Sequence, residues 1–563
     1  MKKNWKKNSS TFLAMLLTAG MLSGCGATSS NTNESTNNNQ MISEASDAIE
    51  SGDTADSSDD ANESINVYIG GTIFDESMDP IKGFMCYGYP LVNEALLQVN
   101  ANSEYVGSLA SNWSVSDDAL THTYELNKDI HFSDGSDFTA EDVVFTYQQV
   151  MDNPGLNENV DLSKLASVTA VNDYTVEFKL SEAYSPFVDT TAMLQIVPSD
   201  AYSSETFDTT PIGTGAYKVV QYDANQQIIL QINENYHGAQ PDIEQVNIIS
   251  MDQDTAYSNA VSGQMDVVMV SSTYINENID GMSLEKLETM DVRNISLPTL
   301  KPQTMKDSAG TEYQVGNEVT SDIAVRKALA IGIDRQTIIN NAFNGEGVPS
   351  VNFTDNLVWA NTENYEDNKV DEANALLEEA GWVDTDNDGI REKDGVKCAF
   401  SIIAPGSDED RYKLATALAE NAKALGIEIT VRNESWDVAE AEENTTPIVW
   451  GWGQFSPTVI YSLYHSDMFL EAQYANVSGF TNKQVDQAIE KAISASSIED
   501  ANNAWKEAQK MGEQEYPYLF LVNIEHSYFV KDGLNISVDT QIPHPHGHGS
   551  PIICNLKDWT LNE

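Results

Sequence analysis

Apolar and polar positions along this chain alternate with period two in short runs, then switch to a period near 3.6, many times over. Residues 121–126 alternate as a half-buried strand does, and residues 174–180 put Tyr174, Val176, Phe178 and Leu180 on one face. Residues 65–70, 218–222, 227–232, 266–270 and 427–431 read as further strands. Helical spacing covers 256–262, 324–333, 335–343, 372–380, 411–425, 485–492 and 498–513. Gly263, Gly381 and Gly426 stand where three of these helices should stop, and Gly345 lies just beyond a fourth. Strands and helices are interleaved, so the class is mixed α/β. No fixed-period repeat is present, which argues against a solenoid.

One stretch, 109–150, combines several local signals. Ser133-Asp134-Gly135-Ser136 is turn chemistry between two patterned segments. Thr139 followed by Asp142 is a capping-box variant that opens a helix turning Val143, Val144 and Tyr147 inward. Further on, the glycines of Pro211-Ile212-Gly213-Thr214-Gly215-Ala216-Tyr217 form a turn that feeds the strand at 218–222.

The N-terminal part of the chain carries a different composition. Lys2, Lys3, Lys6 and Lys7 precede an apolar run around 12–22, too short for a comfortable membrane span. Leu22-Ser23-Gly24-Cys25 then looks like a bacterial lipobox, so residues 1–24 are expected to be a lipoprotein signal peptide and Cys25 the lipidated residue. Residues 26–64 hold no Lys, Arg or aromatic residue and much Ser, Asn, Asp and Glu. That composition cannot bury a core, so 25–64 is expected to be a disordered acidic tether, reaching on the order of tens of ångströms from the bilayer. The roughly 500 residues that follow exceed a single core and suggest two or three domains.

Thirty Lys and Arg against 87 Asp and Glu give a formal charge of −57. Such a surface repels nucleic acid and anionic headgroups, and it favours solubility. Cysteine is sparse, at 25, 86, 398 and 554, with no CxxC pair. No GxSxG, P-loop, HExxH or GxGxxG following a strand is present, and so many acids make chance carboxylate pairs certain. An enzyme is not expected.

The 109–150 stretch is similar to the signature block of the family 5 extracellular solute-binding proteins of ABC importers. Its matching positions are Leu109, Ala110, Asn112, Trp113, Phe132, Asp134, Gly135, Thr139, Ala140, Asp142 and Val143. PIGTGAYKVV, SGQMDVV, the helix bearing Val325, Arg326, Ala328, Leu329, Asp334 and Arg335, and the segment from Asn374 through Asp388 and Gly389 extend the resemblance over nearly all of 65–563. It implies an α/β, two-lobed periplasmic-binding-protein type II cleft fold with an extra domain in the N-terminal lobe. Carried over, domain I is 65–105, 201–285 and 516–563, domain II is 106–200, and domain III is 286–515. The resemblance further implies a monomer without a cofactor, outside the cell membrane, that hands solute to permease subunits. The cargo is expected to be oligopeptide, with nickel or another metal chelate as the alternative. A secreted hydrolase or surface adhesin is the reading from another class.

Three places carry candidate chemistry. Trp450-Gly451-Trp452-Gly453-Gln454-Phe455-Ser456-Pro457 corresponds to a cleft-lining loop in the family, so Trp450, Trp452 and Phe455 are candidate ligand contacts, against packing in domain III. Phe84 and Tyr87 fall where family members contribute from domain I. Dipeptide- and oligopeptide-binding members place an aspartate just after the tryptophan, and this loop has none. Dipeptide-binding members also use an arginine before the helix at 411–425, where this chain reads Ala404-Pro405-Gly406. His544, His546 and His548 alternate and would share a metal in an extended segment, although a Gly-Pro turn is the favoured account. Asp384, Asp386, Asp388 and Gly389 resemble half a calcium loop, but its twelfth position is Gly395, and a solvated acidic turn is favoured.

Overall fold

The computed structural model describes residues 64–70, 77–83, 91–157, 159–352, 357–363, 366–406, 408–543 and 551–561. The signal peptide, Cys25, the tether up to residue 63, Phe84, Tyr87 and the three clustered histidines lie outside the described residues, and residue 64, expected in the tether, opens the first strand.

A nine-stranded mixed sheet runs through the molecule. Near one edge two long strands, Met282–Ser296 and Tyr518–Lys531, pair antiparallel over nearly their whole length. On one side Val267–Val270 joins Tyr518–Lys531, and Ser64–Tyr68 runs parallel to Val267–Val270 and to Gln245–Ile249. Gln227–Ile232 and Tyr217–Asp223 complete that edge. On the other side the short strand Val449–Trp452 pairs with Met282–Ser296.

Residues 110–180 build a separate four-stranded antiparallel sheet with helix Ala140–Asp152 across it. Tyr124, Phe132, Phe138, Tyr147 and Phe178 fill the core between them. A further core forms around the parallel pair Ala399–Pro405 and Glu428–Glu434, connected through helix Glu409–Ala422. Parallel strands need such a crossover. Helices Ile323–Gly332 and Arg335–Phe343 pack into the same core. Among the described residues no helix is long and apolar enough to cross a membrane.

Local signals and observed elements agree in kind and differ at edges. Thr121–Leu126, Arg335–Phe343 and Ile498–Glu513 have the expected bounds. The helix expected at 411–425 starts two residues earlier, because Asp408 accepts from the backbone N–H of Asp410 and Arg411, and it tightens to a 3-10 turn after Ala422. Neither long strand is anticipated by the hydrophobic pattern. Met282–Ser296 is largely open to solvent in its first half and buried on both faces in its second, so it never alternates cleanly.

The signature-block residues act as scaffold. Asp142 is buried, with Oδ2 accepting from Thr139 N at 2.8 Å and Oδ1 accepting from Ser199 N and Oγ, both at 2.8 Å. One carboxylate thus caps its own helix and pins a segment 57 residues away. In the glycine turn, a Cβ on Gly213 would sit 2.0 Å from the Val92 carbonyl oxygen, and one on Gly215 2.4 Å from that of Leu91. Only glycine lets these backbones touch. Replacing Asp142 with Ala strands several donors at once and should lower unfolding free energy by about 3 kcal/mol. Denaturant titration monitored by tyrosine and tryptophan fluorescence would show the shift.

Candidate functional site

The Trp-Gly-Trp-Gly loop is placed by strand pairing. Val292 faces Trp452 and Asn294 faces Trp450 across the ladder. Trp450 is buried, its Nε1 donates to Ser296 Oγ at 3.0 Å, and its ring lies among Trp436, Trp452 and Tyr474. Trp452 is half-buried, and its Nε1 has no hydrogen-bond partner among the described residues. The strand ends at Gly453, where a Cβ would come within 2.2 Å of the Met290 carbonyl oxygen. The chain therefore turns hard against the long strand Met282–Ser296 before Phe455. Phe455 is buried, and its carbonyl accepts from Trp359 Nε1 at 2.6 Å.

Behind this turn lies a cavity of about 40 Å³, room for about two or three waters. Its walls come from five separate stretches, through Ser103, Tyr105, Asp189, Trp359, Phe455 and Trp505 among others. Asp189 sits in the first turn of helix Phe187–Met193. Its carboxylate accepts from Ser456 Oγ at 2.6 Å and from the Tyr105 hydroxyl. Burial pushes the Asp189 carboxyl up to about 7, and these two hydrogen bonds offset it only in part. Among the described residues no Lys, Arg or His lines the cavity. Trp505 is fully buried and Ser103 nearly so, and neither Trp505 Nε1 nor Ser103 Oγ has a hydrogen-bond partner among the described residues.

Of the candidate contacts that can be placed, Phe455 lines this cavity, while Trp450 and Trp452 stand on the adjoining strand and do not. The loop's own polar residue, Gln454, is exposed. The acid beside the loop instead arrives from position 189, 267 residues before Ser456. Sequence reasoning missed Asp189, Tyr105, Trp359 and Trp505. Nothing in PFVDTTAML distinguishes Asp189 from an ordinary first-turn acid, and Trp505 reads as one more residue on the apolar face of an amphipathic helix.

The acidic loop brings oxygens of Asp384, Asp386, Asp388 and Glu392 within 4.8 Å of one another. Much of its capacity is already used. Asp384 accepts from the Asn387 and Gly389 N–H groups, Asp388 accepts from Ile390 N, and Lys397 forms an ion pair with Asp388. None of these residues lines the cavity.

The fold defines a class: a two-lobed α/β binding protein, here with a cavity where sequence-distant segments meet. The family model for bacterial extracellular solute-binding proteins, family 5 (middle), matches residues 104–468, and the chain belongs to this family, the solute-binding proteins of ABC importers. It is similar to protein XP55 of Streptomyces lividans, at 28% identity over 86% of this chain and 89% of the relative. It also resembles the oligopeptide-binding protein AppA of Bacillus subtilis, at 26% over 74% and 77%, and the nickel-binding periplasmic protein of Escherichia coli, at 26% over 62% and 67%. The same fold is seen in NikZ of Campylobacter jejuni in complex with Ni(L-His), with TM-score 0.70, 22% identity, and coverage of 89% of this chain and 99% of NikZ. AppA in complex with a nonapeptide superposes with TM-score 0.63 at 21% identity over 89% and 100%.

Because the Asp189 carboxyl titrates higher in the folded protein than its ordinary 3.8, the native state holds the extra proton between those pH values. Its contribution to stability is fully present below about pH 4 and is lost as pH rises through about 7. Asp189→Asn keeps an acceptor for Ser456 and removes the titration. Its melting temperature should match wild type near pH 4 and exceed it increasingly towards pH 8, by up to about 4 kcal/mol of free energy. Scanning calorimetry across that range, without added ligand, measures the gap.

Proposed function

We propose that this protein captures oligopeptides outside the cell and delivers them to the permease subunits of an ABC importer. The lining of the cavity carries this reading. With room for about two or three waters, the cavity suits one end of a peptide, offering a carboxylate, a hydroxyl and an indole N–H among aromatic walls. Likeness to the oligopeptide-binding AppA over three quarters of each chain supports it. Trp450, Trp452, Phe455, Phe84 and Tyr87 are the further contacts assigned to the ligand side. The domain division at 106, 201, 286 and 516 goes with this proposal: a solute held between the lobes, released by hinge opening.

A nickel or other metal chelate is the second reading, favoured by the nickel-binding relatives and by the alternating His544, His546 and His548. Denaturing the natively purified protein and weighing what is released by mass spectrometry separates the two. Peptides of mixed sequence are expected, and a metal chelate without peptide would replace this reading with the second.

The lipobox at 22–25 supports reading the mature protein as a lipoprotein on the outer face of the cell membrane, and the family resemblance supports reading it as a monomer. Cys25→Ser should move it from the membrane fraction to the soluble fraction. Unchanged membrane retention would refute lipidation at that residue.

A further inference from the structure

Asp189 is a buried acid with no cation beside it among the described residues. Both of its side-chain partners, Ser456 and Tyr105, are neutral donors, and the remaining residues around the cavity add no positive charge. An ionised carboxylate removed from water and left without a counter-charge is costly, and proteins ordinarily pair it. The buried arginines Arg326, Arg335 and Arg411 do not serve it, and Arg411 is bound to Asp408 and the Val449 carbonyl. Arg326 donates to the carbonyls of Thr320, Ser321 and Glu515, and Arg335 to those of Ala330, Ser350 and Phe520.

Two further observations concern the same cavity. Trp505 Nε1 and Ser103 Oγ are buried polar atoms that use no hydrogen bond among the described residues. Native structures rarely leave such groups idle, and where they do a ligand or ordered water is the usual reason. The rings of Trp359, Phe455 and Trp505 line the same space, and aromatic faces tolerate a cation better than aliphatic walls do. A lone acid, idle donors and aromatic walls together form a recess complementary to a cation with a hydrogen-bond acceptor close by.

We propose that Asp189 is a charge-selecting residue that takes a primary ammonium group of the captured solute, while Trp505 Nε1–H donates to an oxygen adjacent to that ammonium. The carboxylate comes from a helix far in sequence from the Trp-Gly-Trp-Gly loop and meets it only through Ser456, so solutes with a positive end are bound where these segments converge. This rests on the cavity being the place of peptide capture, as proposed above. The arrangement also gives a pH sense: the groups facing Asp189 are the Tyr105, Tyr124 and Tyr184 phenols and the Ser456 hydroxyl, all neutral near pH 7, so a bound ammonium is the one cation that would hold the carboxylate ionised.

The test uses the full chain and a pool of mixed-sequence pentapeptides, offered with free amino termini or with the same termini acetylated, and lysine-free so that the terminus carries the only primary amine. Retained peptide is quantified by mass spectrometry. Wild type is expected to retain the free-amine pool at least about tenfold over the acetylated one, and Asp189→Asn to bring that ratio below about two. Equal retention of both pools by wild type overturns the role of Asp189 and leaves peptide capture standing. A preference that survives Asp189→Asn also overturns it, since another group then reads the charge. Retention of neither pool removes peptide capture and this inference together. Should Asp189→Asn fail to fold, Asp189→Ser is measured in its place, with the same ratio below about two expected and a retained preference overturning the role.

Discussion

The antiparallel pairing of Met282–Ser296 with Tyr518–Lys531 is the constraint on which the rest of the structure depends. It ties segments more than 200 residues apart, and every other strand of the large sheet is added to one of these two, directly or through a neighbour. The ladder is continuous from Met282 to Glu288, is interrupted before Val292, and shifts register once more between Arg293 and Asn294. In that gap Thr289 Oγ1 donates to the Ile524 carbonyl at 2.6 Å, and Asp291 pairs with Arg293. Bulges bend a strand and re-aim its side chains. Here the bend lets Met290 present its carbonyl to Gly453, which sets where the Trp-Gly-Trp-Gly strand ends and the cavity begins. Contacts this distant in sequence are closed late and slowly, so the site can form only after most of the chain is in place.

Buried charge is handled in two different ways. Asp142, Arg326 and Arg335 are each surrounded by partners, largely backbone N–H or carbonyl groups, and the fold supplies enough of them to hold the charge in place. Such residues do scaffold work: they supply capping and loop-closing hydrogen bonds that few side chains could make. Asp189 is the exception. It receives two hydroxyl hydrogen bonds and no charged partner among the described residues, and it borders empty space. A scaffold has no use for so poorly matched a carboxylate, which is the physical reason to place it on the functional side.

Much of the fold was legible along the chain because local signals act locally. Residues 121–126 and 498–513 declare themselves by period, and Gly381 and Gly426 by the left-handed backbone that ends their helices. The signature block extended that to family and lobe architecture. The site was legible only in part. Phe455 lay in a loop whose glycines and aromatics stood out, and the cavity is lined by it. Asp189, Tyr105 and Trp505 could not be found the same way, since what distinguishes them is how they are partnered in three dimensions, a property no window of sequence contains. The missing aspartate after Trp452 was a correct observation about the loop, yet the structure brings an acid to the neighbouring Ser456 from elsewhere.

The five stretches around the cavity have a thermodynamic consequence. Residues near 103–105, 185–189, 358–359, 455–457 and 498–505 meet there, and Ser185 adds hydrogen bonds to the Ala492 and Ile493 carbonyls close by. Hydrogen bonds join these walls, but an under-compensated carboxylate, idle donors and a small polar void between them favour letting water in. A solute that satisfies them binds the assembled arrangement and not the separated one, so its binding energy is also the energy of assembly. The size of that difference bounds how far a ligand can shift the protein towards its assembled state. On the proposal that solute is held here, the poorly matched carboxylate separates loaded from unloaded protein, and a well-packed apolar core in its place would stabilise the fold and remove that difference.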